Sequence, residues 1–285
     1  MIRLVGILVG LGFTLVVMVS FFAGLFTVFE QGYLKEETAE HAFHLEAEGP
    51  EGGFAHDGLM PEWDLAQLQR GYQVYKEVCS ACHSLRHVAL RNLEDLGYNE
   101  EEIKAEAASW IVPDINPDTG EAATRPGLPT DYFPAPYAND VAAAAANNNA
   151  IPPDLSLITK ARHHGPEYVY NLMTGYAEPS AELAEQFPDS LPGPGLYHNP
   201  YFANLNLAMA PPLLDGQVTY ADGTEATQAQ MATDVAAFLT WSAEPSLVDR
   251  VKLGWIVLGF LLFVTILARL AKKSVWSTLK TRDEG

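Results

Sequence analysis

The sequence predicts a mainly α-helical protein, in which a helical domain with long loop insertions lies between two apolar helices. Three observations support this fold class. Apolar residues recur at steps of three and four through residues 64–78, the spacing of one buried helix face. An apolar run of 26 residues occupies positions 4–29, and another of 16 residues occupies 253–268. Both runs are candidates for membrane helices, since roughly 20 residues span a bilayer.

The N-terminal run is either a membrane helix or a signal peptide. A signal peptide has an apolar stretch of roughly 7–15 residues before a small-residue cleavage site. Residues 4–29 exceed that length, and the nearest candidate cleavage site, at 20–23, is poor. We therefore favour a retained helix over residues 1–29, with a cleaved signal peptide as the alternative. In both cases the chain that follows is exported.

The charge is distributed unevenly along the chain. The net charge is −19, with 34 acidic and 9 basic residues between Glu30 and Asp249, whereas 7 basic and 2 acidic residues follow. An acidic domain of this kind excludes nucleic acid as a partner, because phosphates require basic surfaces. Such a domain is suited to attract a basic or dipolar protein, and the basic C-terminal segment is suited to lie at a membrane surface. The alternative is that the acidity only keeps the domain soluble.

Residues 30–58 are acidic and aperiodic, and we interpret them as a linker that crosses the surface. His41, His44 and His56 lie in it; we interpret them as scattered surface histidines rather than as metal ligands. A helix capped by Asp64 follows and ends before Cys79. The domain that begins at residue 59 therefore opens with this helix.

The helix leads into Cys79-Ser80-Ala81-Cys82-His83, a Cys-x-x-Cys-His sequence. This is the attachment signature of c-type haem, in which two thiols add to the vinyl groups and the histidine binds the iron. A thioredoxin-like motif would open a helix instead of following one. A zinc site would need further ligands, and these are the only two cysteines of the chain. A structural disulfide would leave the histidine unexplained.

The remainder of the domain alternates short helices with long loops. We expect loops at 116–139 and 178–206, where proline and glycine recur. We expect an amphipathic final helix ended by Glu244-Pro245, with its apolar face formed by Met231, Val235, Phe238, Leu239 and Trp241. The other predicted helices lie within 91–110, at 141–146, at 155–162 after Asp154 as the cap, and at 167–176.

A haem iron bound by His83 can have a second ligand or an open position. Met209 lies in the loop Leu207-Ala208-Met209-Ala210-Pro211-Pro212, whose prolines stiffen the backbone. Met173 and Met231 lie on helical patterns, where methionine usually fills a core. Met209 is therefore our candidate for the distal ligand, and a closed iron indicates electron transfer.

The run 253–268 predicts a C-terminal membrane helix. It is short for a hydrocarbon core of about 30 Å, but long basic side chains at its ends extend the span. A buried core helix is the alternative. The basic residues after the run favour a membrane helix whose C-terminal end lies in the cytoplasm. The flanking residues are Lys252, Arg269, Lys272, Lys273 and Trp276.

Four stretches of the chain resemble the cytochrome c1 family of bacterial type, the haem subunits of cytochrome bc1 complexes. They read QLQRGYQVYKEVCSACHSL, NNNAIPPDLSLITKARHHGPEYVYNLMTGY, LYHNPYFANLNLAMAPPLL and DVAAFLTWSAEP, followed by a membrane helix and WSTLK. The resemblance covers residues 64–285 in family order. It implies a cytochrome-c-like haem domain over 59–246, an anchor over 247–272 and a cytoplasmic tail over 273–285.

The resemblance also implies residue roles. It assigns one covalent haem c to Cys79 and Cys82, with His83 and Met209 as axial ligands. Arg162 and Tyr168 match residues near the haem propionates, and ordinary surface placement is the alternative. Pro153 matches the residue whose carbonyl receives the proximal histidine's Nδ1–H. The chain lacks cysteines for a disulfide found in some bacterial relatives, and its N-terminal run is longer than a typical leader.

By the same resemblance, the chain accepts an electron from a Rieske iron–sulfur protein and passes it to a soluble or tethered cytochrome c. It would do so beside cytochrome b in a dimeric quinol–cytochrome c reductase, with its haem domain in the periplasm of a bacterial inner membrane. The chain itself needs no catalytic acid, base or nucleophile. Two alternatives remain open: a peroxidase-like haem enzyme and a haem subunit of a terminal oxidase.

Overall fold

The structure, a computed structural model, describes residues 2–30 and 38–280, and the side chains of residues 3–30 and 38–277. The described part is mainly helical, so the predicted fold class is confirmed. Two small antiparallel hairpins interrupt it, β1 (Ile111–Ile115) with β2 (Ala122–Pro126) and β3 (Tyr197–His198) with β4 (Asn206–Leu207). The α-helices are α1 (Ile2–Glu30), α2 (Ala39–Phe43), α3 (Leu65–Glu77), α4 (Glu100–Ser109), α5 (Asp140–Ala146), α6 (Gly165–Thr174), α7 (Ala181–Gln186), α8 (Gln228–Ala243) and α9 (Leu247–Lys280).

Helix α8 forms the centre of the domain. Ten of its 16 residues are buried, including the predicted apolar face. Helices α3 and α6 both pack against it. The burial extends around α8, which is typical of a helix enclosed in a core rather than one at the surface.

Helix α3 forms as the sequence predicts. The Asp64 carboxylate accepts a hydrogen bond from the backbone N–H of Gln67, which satisfies one donor of the first turn. The buried face of α3 includes Leu68, Tyr72 and Tyr75. A short 3₁₀ helix, Cys79–Ala81, follows directly, so the Cys-x-x-Cys-His motif lies at the C-terminal end of α3.

The predicted helix at 155–162 is wrong. This segment is a series of turns, with backbone hydrogen bonds from Ile158 to Leu155 and from Lys160 to Leu157. Asp154 does not cap a helix there: its Oδ1 accepts the N–H of Ser156 in the first of these turns, and its Oδ2 is engaged by the loop at Ser84 and Arg86. Helix α6 begins at Gly165, two residues before its predicted start.

The predicted linker at 30–58 is only partly exposed. Its residues 31–37 lie outside the described residues. Further along, Ala39 of α2 packs with Leu183 and Leu205, and Phe54 joins the main core. The predicted loops likewise contain regular structure that the sequence pattern did not indicate. The hairpin β1–β2 begins just before the predicted loop 116–139 and ends within it, and α7 and β3 lie within the predicted loop 178–206.

The two apolar helices stand apart from the core. Arg3–Glu30 and Leu247–Ser277 are each long and apolar enough to cross a membrane, and their most apolar windows are not buried within the protein. The exposure of α9 rules out the alternative of a buried core helix for this segment. Helix α9 extends well beyond the predicted 253–268, continuing as one helix past the basic residues to Lys280.

Candidate haem-binding site

One tight turn carries the two thiols and the imidazole of the motif. The backbone N–H groups of Cys82 and His83 both donate to the carbonyl of Cys79, at 3.1 and 2.9 Å. The Ser80 hydroxyl donates to the carbonyl of Lys76 at 2.7 Å, which ties the turn to the end of α3. The three reactive side chains are therefore presented from one short, hydrogen-bonded segment.

The Cys79 thiol has the character of an unreactive cysteine. Cys79 and Cys82 are free rather than joined by a disulfide. Burial raises the pKa of Cys79 to about 12, and the neighbouring Cys82 adds to the increase. The position of Cys79 just after the C-terminus of α3, where the helix dipole is negative, also disfavours a thiolate at this residue. Redox-active Cys-x-x-Cys motifs have lowered thiol pKa values, often at helix N-termini, so this geometry argues against a thioredoxin-like function.

His83 is oriented by a carbonyl from a distant loop. Its Nδ1 lies 2.8 Å from the carbonyl oxygen of Pro153, so the Nδ1–H donates and Nε2 keeps its lone pair for a metal. Burial lowers the pKa of His83, although the Pro153 hydrogen bond and the charge of Asp154 oppose the shift. The imidazole is therefore held in the neutral form that binds iron.

Asp154 fastens the Pro153 loop to the motif. Its Oδ2 accepts hydrogen bonds from the Ser84 hydroxyl at 2.7 Å and from the Arg86 backbone N–H at 3.0 Å. Its Oδ1 accepts from the Ser156 N–H. Burial acts to raise the pKa of Asp154, but these hydrogen bonds outweigh it and the pKa is lowered.

Sequence reasoning missed this role of Asp154. The available signal was an acidic residue directly after Pro153, which also resembles a helix cap. Tyr75 was likewise missed: its hydroxyl donates to the carbonyl of His83 at 3.3 Å. Its place on the buried face of α3, one turn before the motif, was the clue.

Met209 lies just after β4, in the bend that precedes Pro211. The Tyr176 hydroxyl donates to the carbonyl of Met209 at 2.9 Å. Tyr176 comes two residues after the end of α6, which itself packs on α8. The loop that carries this thioether is thus attached to the helical core through a side chain that the sequence did not single out.

Arg162 and Tyr168 are brought together by the turn before α6. The guanidinium carbon lies 5.8 Å from the centroid of the tyrosine ring, within the range of a cation–π contact. Arg162 is exposed and Tyr168 is half-buried. A guanidinium oriented by a ring in this way is suited to bind a carboxylate bidentately.

This donor set fits a covalently bound haem. Two thiols lie on the same turn as a neutral imidazole whose Nδ1 is already bound, and a methionine lies on a braced loop. A zinc site is not supported, since the part of the chain that the structure describes holds no group of three or more His, Cys, Asp or Glu side chains able to bind a metal. His41, His44 and His56 lie in the described part of the chain and belong to no such group, and His56 is buried.

Comparison with known proteins gives one consistent result. Residues 54–279 match the Cytochrome C1 family. The chain is 47% identical to cytochrome c1 of Rhodospirillum rubrum over 232 residues, covering 78% of this chain and 85% of that protein. It is 46% identical to the mitochondrial heme protein cytochrome c1 1 of Arabidopsis thaliana, covering 86% and 76%. It is 44% identical to the mitochondrial cytochrome b-c1 complex catalytic subunit of Candida albicans, covering 86% and 81%.

Proposed function

Since the chain belongs to the cytochrome c1 family, we propose that it is the haem-bearing electron-transfer subunit of a membrane cytochrome bc1 complex. When bound, the haem supplies a one-electron carrier. The observation that carries the proposal is the hydrogen bond from His83 Nδ1 to Pro153 on the turn that presents Cys79 and Cys82. It leaves Nε2 free to bind a metal, on the turn that carries both thiols.

Each residue of the site has a defined task in this proposal. Cys79 and Cys82 would form the thioether links to the haem. His83 and Met209 would be the two protein ligands of its iron, which would leave no open position for a substrate. Arg162 and Tyr168 bind the propionates, which the contact of the guanidinium with the tyrosine ring supports.

The chain takes part in quinol oxidation without a catalytic acid, base or nucleophile of its own. It accepts an electron from a Rieske iron–sulfur protein and passes it to a soluble or tethered cytochrome c, in a dimeric complex that includes cytochrome b and releases protons outside. Membership in such a complex is supported by the names of the relatives. The acidic surface supports a basic or dipolar acceptor.

The proposed topology follows from the exposed helices. Helix α9 anchors the domain, and the basic residues from Arg269 onward support a cytoplasmic C-terminus and a haem domain in the bacterial periplasm. Residues 247–272 form the anchor, and 273–285 form the tail. Helix α1 is a second anchor if it is retained, and lipid contacts both helices.

The test is Met209→Leu in the complex purified from its own membranes. The wild-type ferric protein should show a low-spin spectrum with a near-infrared methionine–iron band, and cytochrome b and a Rieske protein should co-purify. The variant should lose the band and lower its potential, because thioether ligation raises the potential. Met173→Leu is the matched control and should keep both. A band that survives in Met209→Leu, or a high-spin wild-type spectrum, contradicts the proposal.

A further inference from the structure

We propose that the loop at residues 57–61 is a second membrane contact, in which Leu59 and Met60 insert into the lipid interface beside the start of α9. The inference rests on the proposed anchoring of the chain by α9. It assigns a role to a loop that lies before α3, far from the anchor in sequence.

The tip of the loop is apolar and exposed. Leu59 is 70% exposed and Met60 is 81% exposed. Gly58, with φ of 80°, turns the chain outward, and Pro61 stiffens its return. Two large adjacent apolar side chains are therefore directed away from the core of the domain.

Two tryptophans fix this loop against the junction of α8 and α9. The Trp255 indole N–H donates to the carbonyl of Leu59 at 2.8 Å. The Trp63 indole N–H donates to the carbonyl of Pro245 at 3.3 Å. On the inner side of the loop, His56 lies between the rings of Phe54 and Trp63, at centroid distances of 5.0 and 5.1 Å. The exposed tip is therefore fixed at one position along the axis of α9.

The position of the tip along α9 corresponds to the membrane interface. Trp255 lies two residues after the apolar run begins at 253, and tryptophan is enriched where a membrane helix leaves the hydrocarbon. Its half-exposed ring is bound to the carbonyl of Leu59 itself, so the tip lies at the level of the ring. Exposed Leu253 and Ile256 of α9 belong to the same apolar region. The chemistry fits the boundary between lipid headgroups and acyl chains rather than water.

The acidic residues beside the loop indicate which lipid it contacts. Glu62 and Asp64 follow the tip, and Asp57 precedes it, where its carboxylate accepts a hydrogen bond from the Phe54 N–H. A tip bordered by carboxylates gains nothing from anionic headgroups. The contact is therefore apolar insertion into a zwitterionic interface.

The test measures the depth of Met60. The two native cysteines are the proposed haem attachment residues, so Met60→Cys introduces the single reactive thiol for a polarity-sensitive fluorophore. The haem-loaded full chain is placed in phosphatidylcholine nanodiscs with and without spin-labelled lipid. We expect about twofold quenching at position 60 when the spin label lies near the headgroups, as for a residue inserted at the interface.

Two matched positions make the result decisive. Leu214→Cys labels a residue of similar exposure, 68%, next to the Asp215 carboxylate that binds the N–H of Gln228. Gln228 is the first residue of α8, and the last residue of α8, next to the start of α9, lies about 24 Å away along the helix. A label at position 214 should therefore remain unquenched. Leu262→Cys, within α9, should be quenched by spin labels deep in the acyl region.

The outcomes separate the inference from the proposed function. Quenching at 262 without quenching at 60 overturns the loop contact and leaves the anchor intact. Absence of quenching at both positions overturns the anchor and the loop contact together. In the assembled complex, loss of lipid quenching at 60 with crosslinking to another subunit also overturns the inference, because a protein then covers the tip.

Discussion

Gly71 of α3 lies directly against the backbone of Asp234 in α8. A Cβ atom at position 71 would overlap the carbonyl oxygen of Asp234 and would lie 2.7 Å from the Cβ of Phe238. The two central helices of the domain can approach this closely only because one of them lacks a side chain here. This contact explains a glycine inside an otherwise regular helical pattern, where it costs about 1 kcal/mol relative to alanine.

Gly71→Ala should therefore destabilise the domain although alanine favours helices. We expect the free energy of unfolding to fall by about 1–3 kcal/mol, the usual cost of overpacking a core. Thermal unfolding of the haem-loaded chain in detergent, followed by circular dichroism, measures the effect. Gly193→Ala is the control, since nothing lies within 4 Å of a Cβ there. Equal melting temperatures for the two variants would contradict the close helix contact.

The same helix pair is joined by a buried ion pair. Arg70 Nε and Nη2 donate to the two carboxylate oxygens of Asp234, at 2.9 and 3.2 Å, and the Asp234 side chain is fully buried. Arg70→Leu leaves that carboxylate without its charged partner. We expect a loss of about 3–5 kcal/mol in unfolding free energy, as for other buried ion pairs that lose one member.

An exposed ion pair provides the comparison for Arg70. Lys104 and Glu100 form an i,i+4 pair on the surface of α4. Lys104→Leu should cost far less unfolding free energy than Arg70→Leu, because water and salt screen exposed pairs. Denaturant titration of both variants under one set of conditions measures the difference. If Arg70→Leu is as mild as Lys104→Leu, the Arg70–Asp234 ion pair contributes little to the stability of the domain.

The stability of the domain should depend on the protonation of His56. Burial between two aromatic rings lowers the pKa of His56, and the charge of Asp57 only partly opposes the shift. Between this lowered pKa and the ordinary value of about 6.5, the unfolded chain binds more protons than the folded one. Stability should therefore fall as the pH falls below about 6.5.

The variant His56→Phe isolates this contribution, since phenylalanine keeps the ring contacts but cannot be protonated. Its unfolding free energy should decline less steeply than that of the wild type between pH 7.5 and 5, with a difference of at most about 1.4 kcal/mol per pH unit for one proton. His44→Phe alters an exposed histidine and should keep the wild-type slope. Parallel curves for His56→Phe and the wild type would show that His56 is protonated equally in both states.

The rate of electron transfer to the acceptor should fall as the salt concentration rises. Residues 30–249 carry a large excess of acidic residues, with three successive glutamates in the first turn of α4. Screening shortens the reach of surface charges to about 10 Å at 0.1 M salt, so the bimolecular rate constant should fall steeply as ionic strength rises. Stopped-flow reduction of the acceptor by the purified complex measures it. A flat salt profile would exclude electrostatic docking.

The sequence by itself determined the features that depend on near neighbours. Asp64 caps α3 through a residue three positions away, and the motif from Cys79 to His83 is a single turn. The apolar spans of α1 and α9 are continuous in sequence, so their length and composition sufficed. Each of these features could be predicted because its interactions lie within a few residues.

Only the tertiary structure decided the features that join distant segments. Asp154 was expected to begin a helix, but hydrogen bonds from Ser84 and Arg86, about 70 positions earlier, hold it instead. His56 was interpreted as a surface residue, yet it is enclosed between Phe54 and Trp63, and the Trp63 indole N–H donates to the carbonyl of Pro245, 182 positions later in the chain. A local pattern does not reveal such partners, because a hydrogen-bonding group or a ring is used by whichever segment the packing of the helices brings beside it.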